Sequence, residues 1–344
     1  MSLLHYFLNG GKIMDMDAIS KAIALINKDL GEESVMLLGS DTANHDIKRV
    51  STGSITLDQA LMGGIPLGRT VEIFGPEASG KTTVALYVAA EVQKMGRVAA
   101  LVDVEHALDK NLAASYGVDI EKMVISQPDT GEQALEITDK LVKTGIVGVV
   151  ILDSIAALLP EAEADADMSA QHMGLHGRMM SKALRKLTSS CARNNCTVIF
   201  INQIREKIGI TWGNPEVTPG GRALKFYSSV RIDVRRGEYI TDDQKNRIGH
   251  EVKCYVVKNK TGTPYKRGNF LLRYGVGIDR IHELVTVGTM VGIIEKGAAG
   301  RYKYVDDEGI EHKWHGEANV IAGITESEAL QEEIKTKLID RLGR

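Results

Sequence analysis

The chain has 344 residues, of which 25% are charged and only 5% aromatic, with a formal net charge of −3. That length allows one large domain with an ample core and one or two small ones. Cys191, Cys196 and Cys254 make no C-x-x-C pair and have no histidine at zinc spacing, which excludes a zinc site and a disulfide framework.

In chain order, Met1–Leu8 is apolar but lacks a basic n-region and a small-residue cleavage site, so no signal peptide is expected. No apolar run approaches the ~18 residues of a membrane span, and the expected location is cytoplasmic. Asp17–Leu30 carries apolar residues at Ile19, Ala22, Ile23, Ile26 and Leu30, the stripe of an amphipathic helix. Val35–Leu38 reads as a short strand, followed by a polar linker to Arg49. One helix and one strand cannot build a core, so this segment must pack on the main domain or on another molecule.

From Ser51 to about Tyr274 strand and helix alternate. Strands are expected at Val71–Phe74, Val98–Asp103, Val147–Leu152 and Thr197–Asn202, and helices near Lys81–Lys94, Glu132–Lys143 and Gly174–Arg193. Alternation of this kind predicts an α/β fold with a parallel sheet and crossover helices. The later runs Val230–Val234, Val252–Val257 and Phe270–Tyr274 have no helix between them and predict antiparallel strands at one edge. From Gly277 a glycine-rich mixed pattern ends in the helix-like Glu326–Leu342, a small terminal domain. The expected divisions are therefore 1–50, 51–276 and 277–344.

One motif carries the chemistry. Gly75-Pro76-Glu77-Ala78-Ser79-Gly80-Lys81-Thr82, followed by Thr83, is a complete phosphate-binding loop between an expected strand and an expected helix, the context it requires. The glycines let backbone N–H groups close around phosphate oxygens at a helix start. Lys81 neutralises those oxygens, and the Thr82 hydroxyl is placed to ligate Mg²⁺. Val149–Leu152 is an apolar run ending in Asp153, the carboxylate expected to hold Mg²⁺ through water at the carboxyl edge of the sheet. Two more strand ends bring polar groups to that edge. Glu105 is a candidate general base for water attack and Gln203 a candidate γ-phosphate sensor, while ordinary loop polarity remains open for both. His106 beside Glu105 is a lone histidine, more often structural than catalytic.

The charge is unevenly spread. Between Arg178 and Arg273 there are 20 Lys/Arg against 7 Asp/Glu, a local +13, so the remainder carries −16. Such asymmetry points to a polyanion-facing surface.

Ser51–Ser54, Gly75–Thr83, Asp103–Asp109, Gln127–Gln133, His172–Leu175, Ile201–Arg205, Gly220–Tyr227 and Val257–Lys260, in this order, closely resemble the bacterial RecA recombinase family. The resemblance implies a P-loop RecA-type core and an ATP-dependent recombinase that polymerises head-to-tail on single-stranded DNA, pairs it with homologous duplex and exchanges strands. It makes Glu105 the general base and Gln203 the sensor at the root of a DNA-binding loop. The DNA loops would run from about Glu161 to Met173 and from Ile204 to about Pro219. Met173 and Ile208 resemble residues that wedge between bases, and Arg178, Arg185, Arg205, Arg222 and the Gly220–Gly221 backbone resemble phosphate contacts. Lys258 and Lys260 resemble a pair that reaches into a neighbour's ATP site, and Lys225 and Phe226 resemble interface residues. An SOS-type repressor is a further partner that the resemblance implies.

Four departures mark a divergent member and would fit a phage-borne one. Leu112 stands where the family carries an adenine-stacking tyrosine, which leaves Asp109 as the base contact. Glu317 replaces a lysine that collects duplex, and Met290–Gly292 also lacks lysines. The strongly acidic tail of many relatives is not seen, and one residue is missing around Met62–Ile65. A ring-shaped helicase would need a different N-terminal domain and an arginine finger. A coating filament without turnover would not need Glu105.

Overall fold

The computed structural model describes residues 16–31, 34–37, 47–166, 174–206 and 215–342. The chain divides into two units, residues 1–47 and 48–344. In the first, helix α1 (Met16–Leu30) has the expected stripe, yet none of its residues is buried, and Leu25 and Leu30 are exposed. Residues 34–37 are irregular rather than a strand. The Asn27 side chain closes that turn, donating to Val35 O at 2.9 Å and accepting from Val35 N at 2.8 Å. A lone extended segment has no ladder of its own, so strand structure there needs a partner.

The second unit opens with β1 (Arg49–Val50), α2 (Ile55–Ala60) and β2 (Ile65–Pro66), with β1 and β2 paired antiparallel. Strand and helix then alternate as β3 (Thr70–Gly75), α3 (Lys81–Lys94), β4 (Val98–Asp103), α4 (Lys110–Ser115), β5 (Met123–Ser126), α5 (Gly131–Lys143) and β6 (Val147–Asp153). The single turn α6 (Glu161–Ala164) and the long α7 (Leu175–Asn194) lead to β7 (Thr197–Gln203). A two-residue pair, β8 (Arg205–Glu206) and β9 (Glu216–Val217), precedes α8 (Gly221–Tyr227). Four more strands follow: β10 (Val230–Thr241), β11 (Arg247–Asn259), β12 (Arg267–Arg273) and β13 (Gly277–Ile278).

Nine strands form one sheet in the order β13-β12-β11-β10-β3-β7-β6-β4-β5. The continuous apolar runs of β3, β4, β6 and β7 are buried because helices cover both faces, the usual setting of a parallel sheet. β10, β11 and β12 pair antiparallel at one edge, as expected, while β10 also joins β3 in parallel and β13, outside the expected runs, adds a further antiparallel pair. The short α8 supplies the crossover that this parallel pairing needs. β5 sits at the other edge with Val124 and Ile125 exposed, so no buried apolar run marks it in the sequence.

The last segment comprises α9 (Arg280–Met290), β14 (Glu295–Lys296), β15 (Arg301–Val305), β16 (Glu311–His315), α10 (Glu317–Thr325) and α11 (Glu328–Arg341). It has its own apolar cluster, including Leu284, Ile294, Tyr304, Val320 and Ile334. The expected terminal helix is α11, capped by Ser327 accepting from Leu330 N. Among the described residues no helix is long and apolar enough to cross a membrane.

Candidate functional site

Strand register assembles the site. Gly75 at the end of β3 lies opposite Gln203 of β7, and Asp103 at the end of β4 lies opposite Asp153 of β6. The phosphate-loop motif therefore shares the carboxyl edge of the sheet with all three polar strand ends.

Two glycines have specific reasons. A Cβ on Gly75 would stand 2.0 Å from Val234 O, and Gly80 has φ of +97° at the cap of α3. Pro76, Glu77 and Ala78 are exposed and Ser79 is buried, its Oγ without a hydrogen-bond partner among the described residues. Lys81 is nearly buried at the first turn of α3, and its Nζ donates to Pro76 O at 2.6 Å. Burial pulls its pKa down, against the pull of Asp153, Glu105 and Glu77. Next to it the Thr82 hydroxyl donates to Asp153 Oδ2 at 2.7 Å. Burial raises the Asp153 carboxyl to about 6, aided by Glu105 and Asp103 and opposed by Thr82 and Lys81. The buried Lys81 ammonium resting on a loop carbonyl and the loop N–H groups at a helix start fit a triphosphate. The hard oxygen pair Thr82–Asp153 fits a small divalent cation. Thr83 follows, half-buried in the same turn.

Glu105 Oε1 accepts from Ser154 Oγ and, at 3.0 Å, from Gln203 Nε2. The turn carrying Glu105 hangs on buried Asp103, which accepts from Ala107 N and Leu108 N at 3.4 Å each and from Gln127 Nε2 at 3.2 Å. Sequence reading passes over this role of Asp103, although its buried position at a strand end is the signal. His106 is exposed in the same turn at φ +54°. Asp109 caps α4, accepting from Asn111 N at 2.8 Å and Leu112 N at 3.3 Å, so a base contact would share this carboxylate with the cap. Leu112 is part-exposed, while Tyr116 beyond it is buried against Tyr87.

On the β10–β11 side, Lys258 Nζ donates to Lys225 O at 2.6 Å and to Phe226 O at 3.0 Å, and Lys260 Nζ donates to Phe226 O at 3.1 Å. Both lysines thus rest on the last carbonyls of α8, where cations are favoured. Burial, Lys260 and Arg231 lower Lys258 to about 8. Phe226 is 70% exposed.

The other end of α8 meets the start of α7. Arg178, Arg185, Arg205 and Arg222 are exposed, and Arg178 and Arg185 stand two turns apart on α7. Gly220 and Gly221 have φ of +91° and +70°, and a Cβ on Gly221 would lie 3.6 Å from Gly177 Cα in the first turn of α7. Two helix starts therefore meet here, with Arg178 and Arg222 in their first turns. Met173 and Ile208 lie outside the described residues. Glu317 opens α10, its carboxylate 3.4 Å from His282 Nε2.

The family model described as RecA N-terminal domain matches residues 17–279. The RecA protein of Cereibacter sphaeroides is 51% identical over 302 residues, 87% of this chain and 84% of the relative. That of Ruminococcus albus is 52% identical over 283 residues, covering 82% and 71%. That of Bordetella avium is 49% identical over 328 residues, covering 95% and 91%. On these matches the chain belongs to the RecA family, the DNA-dependent ATPases that drive homologous recombination and repair.

Proposed function

We propose that ATP hydrolysis and DNA binding are carried by the sheet-edge constellation and by the two ends of α8. The observation that carries this reading is the meeting of Lys81, Thr82, Asp153, Glu105 and Gln203 at one strand edge. Loop N–H groups and Lys81 bind the ATP phosphates. Thr82 Oγ1 and, through water, Asp153 would hold Mg²⁺, which supplies charge neutralisation when bound. Glu105 takes the proton of the attacking water on its carboxylate, which Asp103 and Ser154 keep in place. Gln203 exchanges Glu105 for the γ-phosphate and so reports it. Lys258 and Lys260 leave the α8 carbonyls of their own subunit for the neighbour's phosphates, supplying charge in trans. Single-stranded DNA binds by its phosphates at the paired helix starts with Arg178, Arg185, Arg205 and Arg222, contacts that carry no sequence information.

Homologous duplex is the second DNA partner. Because Glu317 is acidic and faces His282, its capture does not use that position. Lys225 and Phe226 face the next subunit, a repressor of the SOS type is a further partner, and the cytoplasm is the compartment.

Glu105→Gln tests the chemistry. General-base catalysis is worth about 10²–10⁴ in rate, so hydrolysis should fall by that order while ATP still binds and the DNA-bound filament persists longer. Hydrolysis at the parent rate would remove Glu105 from its role.

A further inference from the structure

We propose that Asn202 is a positioning residue that carries the state of the phosphate site to the second DNA-binding segment, by tying the Gln203 strand end to the point where the chain enters α8. The inference rests on the reading of Gln203 as the γ-phosphate sensor. Asn202 is wholly buried at the end of β7, in register with Phe74 of β3. Its Oδ1 accepts from the Gln203 N–H at 3.0 Å. Its Nδ2 donates to Glu72 Oε1 and to Pro219 O, each at 3.0 Å. A primary amide has two N–H donors, and here both are engaged. The reverse orientation would set its carbonyl against a carboxylate and a carbonyl, so the acceptors fix which atom is nitrogen.

One of these anchors is rigid. Glu72 is fully buried on β3 and ion-paired to Arg231, whose guanidinium lies 4.5 Å from the Phe74 ring. The other anchor, Pro219, directly precedes Gly220 and Gly221 at the start of α8. Gln203 Nε2 rests on Glu105 in this structure. A pull on that side chain that turns the backbone at 203 would move the N–H held by Asn202, and the Asn202 amide could follow only by shifting or releasing Pro219. A buried N–H left without a partner is costly, so strand end and helix entry move together. The sequence hides this link, because Asn202 and Glu72 are 130 residues apart.

The test compares the full-length parent with Asn202→Ser, Asn202→Leu and Gln203→Ala. Anisotropy of a labelled oligo-dT measures DNA affinity with a non-hydrolysable ATP analogue and with ADP, and nucleotide affinity is measured separately. For the Asn202 variants, nucleotide affinity should stay within about two-fold of the parent. The ratio of the two DNA affinities should fall by about ten-fold, within the usual range of coupling between sites. Serine keeps a group for the Gln203 N–H but cannot span to Glu72 and Pro219, so it decides the matter if leucine disturbs folding. DNA affinity lowered equally in both nucleotide states, with the ratio unchanged, would make Asn202 merely structural and overturn the proposal. So would failure of both variants to bind nucleotide. If Gln203→Ala loses the ratio while Asn202→Ser keeps it, the junction is wrong and the sensor reading stands. A ratio kept in Gln203→Ala would sink the sensor reading and the junction together.

Discussion

At the scale of single residues, the site is a set of groups held in costly protonation states. Asp153 has its carboxyl at about 6 against an ordinary 3.8, first because it is buried and then because Glu105 and Asp103 stand near. The native state therefore binds more protons than the unfolded one between those two values. Stability of the ligand-free protein falls as pH rises through that window, and the cost of the ionised carboxylate is fully present above about 6. A divalent cation held at Thr82 and Asp153, as proposed, would relieve that cost only when the carboxylate is ionised. Mg²⁺ should thus raise the melting temperature more at about pH 7.5 than at about pH 5.5, and Asp153→Asn should abolish the difference. Equal Mg²⁺ shifts at both pH values would place the cation elsewhere. The local motif was readable residue by residue, since a phosphate loop declares itself by spacing. The supports of Glu105 were not, because Asp103, Gln127 and Ser154 act through contacts that only the fold creates.

At the scale of elements, α8 joins the two proposed sites in seven residues. Its first turn meets the start of α7 among arginines, and its last carbonyls hold Lys258 and Lys260. The strands β3, β4, β6 and β7 are legible as apolar runs because both their faces are buried, α5 and α7 by periodicity because burial of one face imposes a pattern, and α3 by the phosphate-loop motif that opens it. β5 and α8 escape that reading, the first because its side chains stay exposed and the second because it is too short to show a period. Residues 35–38 read as a strand by composition, yet the described 34–37 are irregular and Leu38 lies outside the described residues. If the α7–α8 junction binds phosphates, the affinity for single-stranded DNA should weaken steeply with salt, by about 0.7 in log–log slope for each contact. Arg178→Ala, Arg205→Ala and Arg222→Ala should each flatten that slope with little change in base preference. Slopes unchanged in all three would remove DNA from this end of α8.

At the scale of the whole molecule, several features are incomplete in one copy. The apolar stripe of α1 is unburied, Phe226 is exposed, and two lysines lie against carbonyls of their own chain. A head-to-tail contact that does not close builds a helical filament, and such a filament would give each of these features a partner. The charge division along the sequence is a whole-molecule property readable at once, whereas the pairing of subunits is not written in any local pattern. We propose that each ATP site is completed by its neighbour on DNA. The most direct test is the DNA-stimulated ATPase rate of mixtures of Lys81→Ala and Lys258→Ala subunits, each inactive alone. A Lys258→Ala subunit keeps its own phosphate site and receives intact lysines from a Lys81→Ala neighbour, so the account predicts partial recovery that peaks at intermediate ratios. No recovery at any ratio would contradict it.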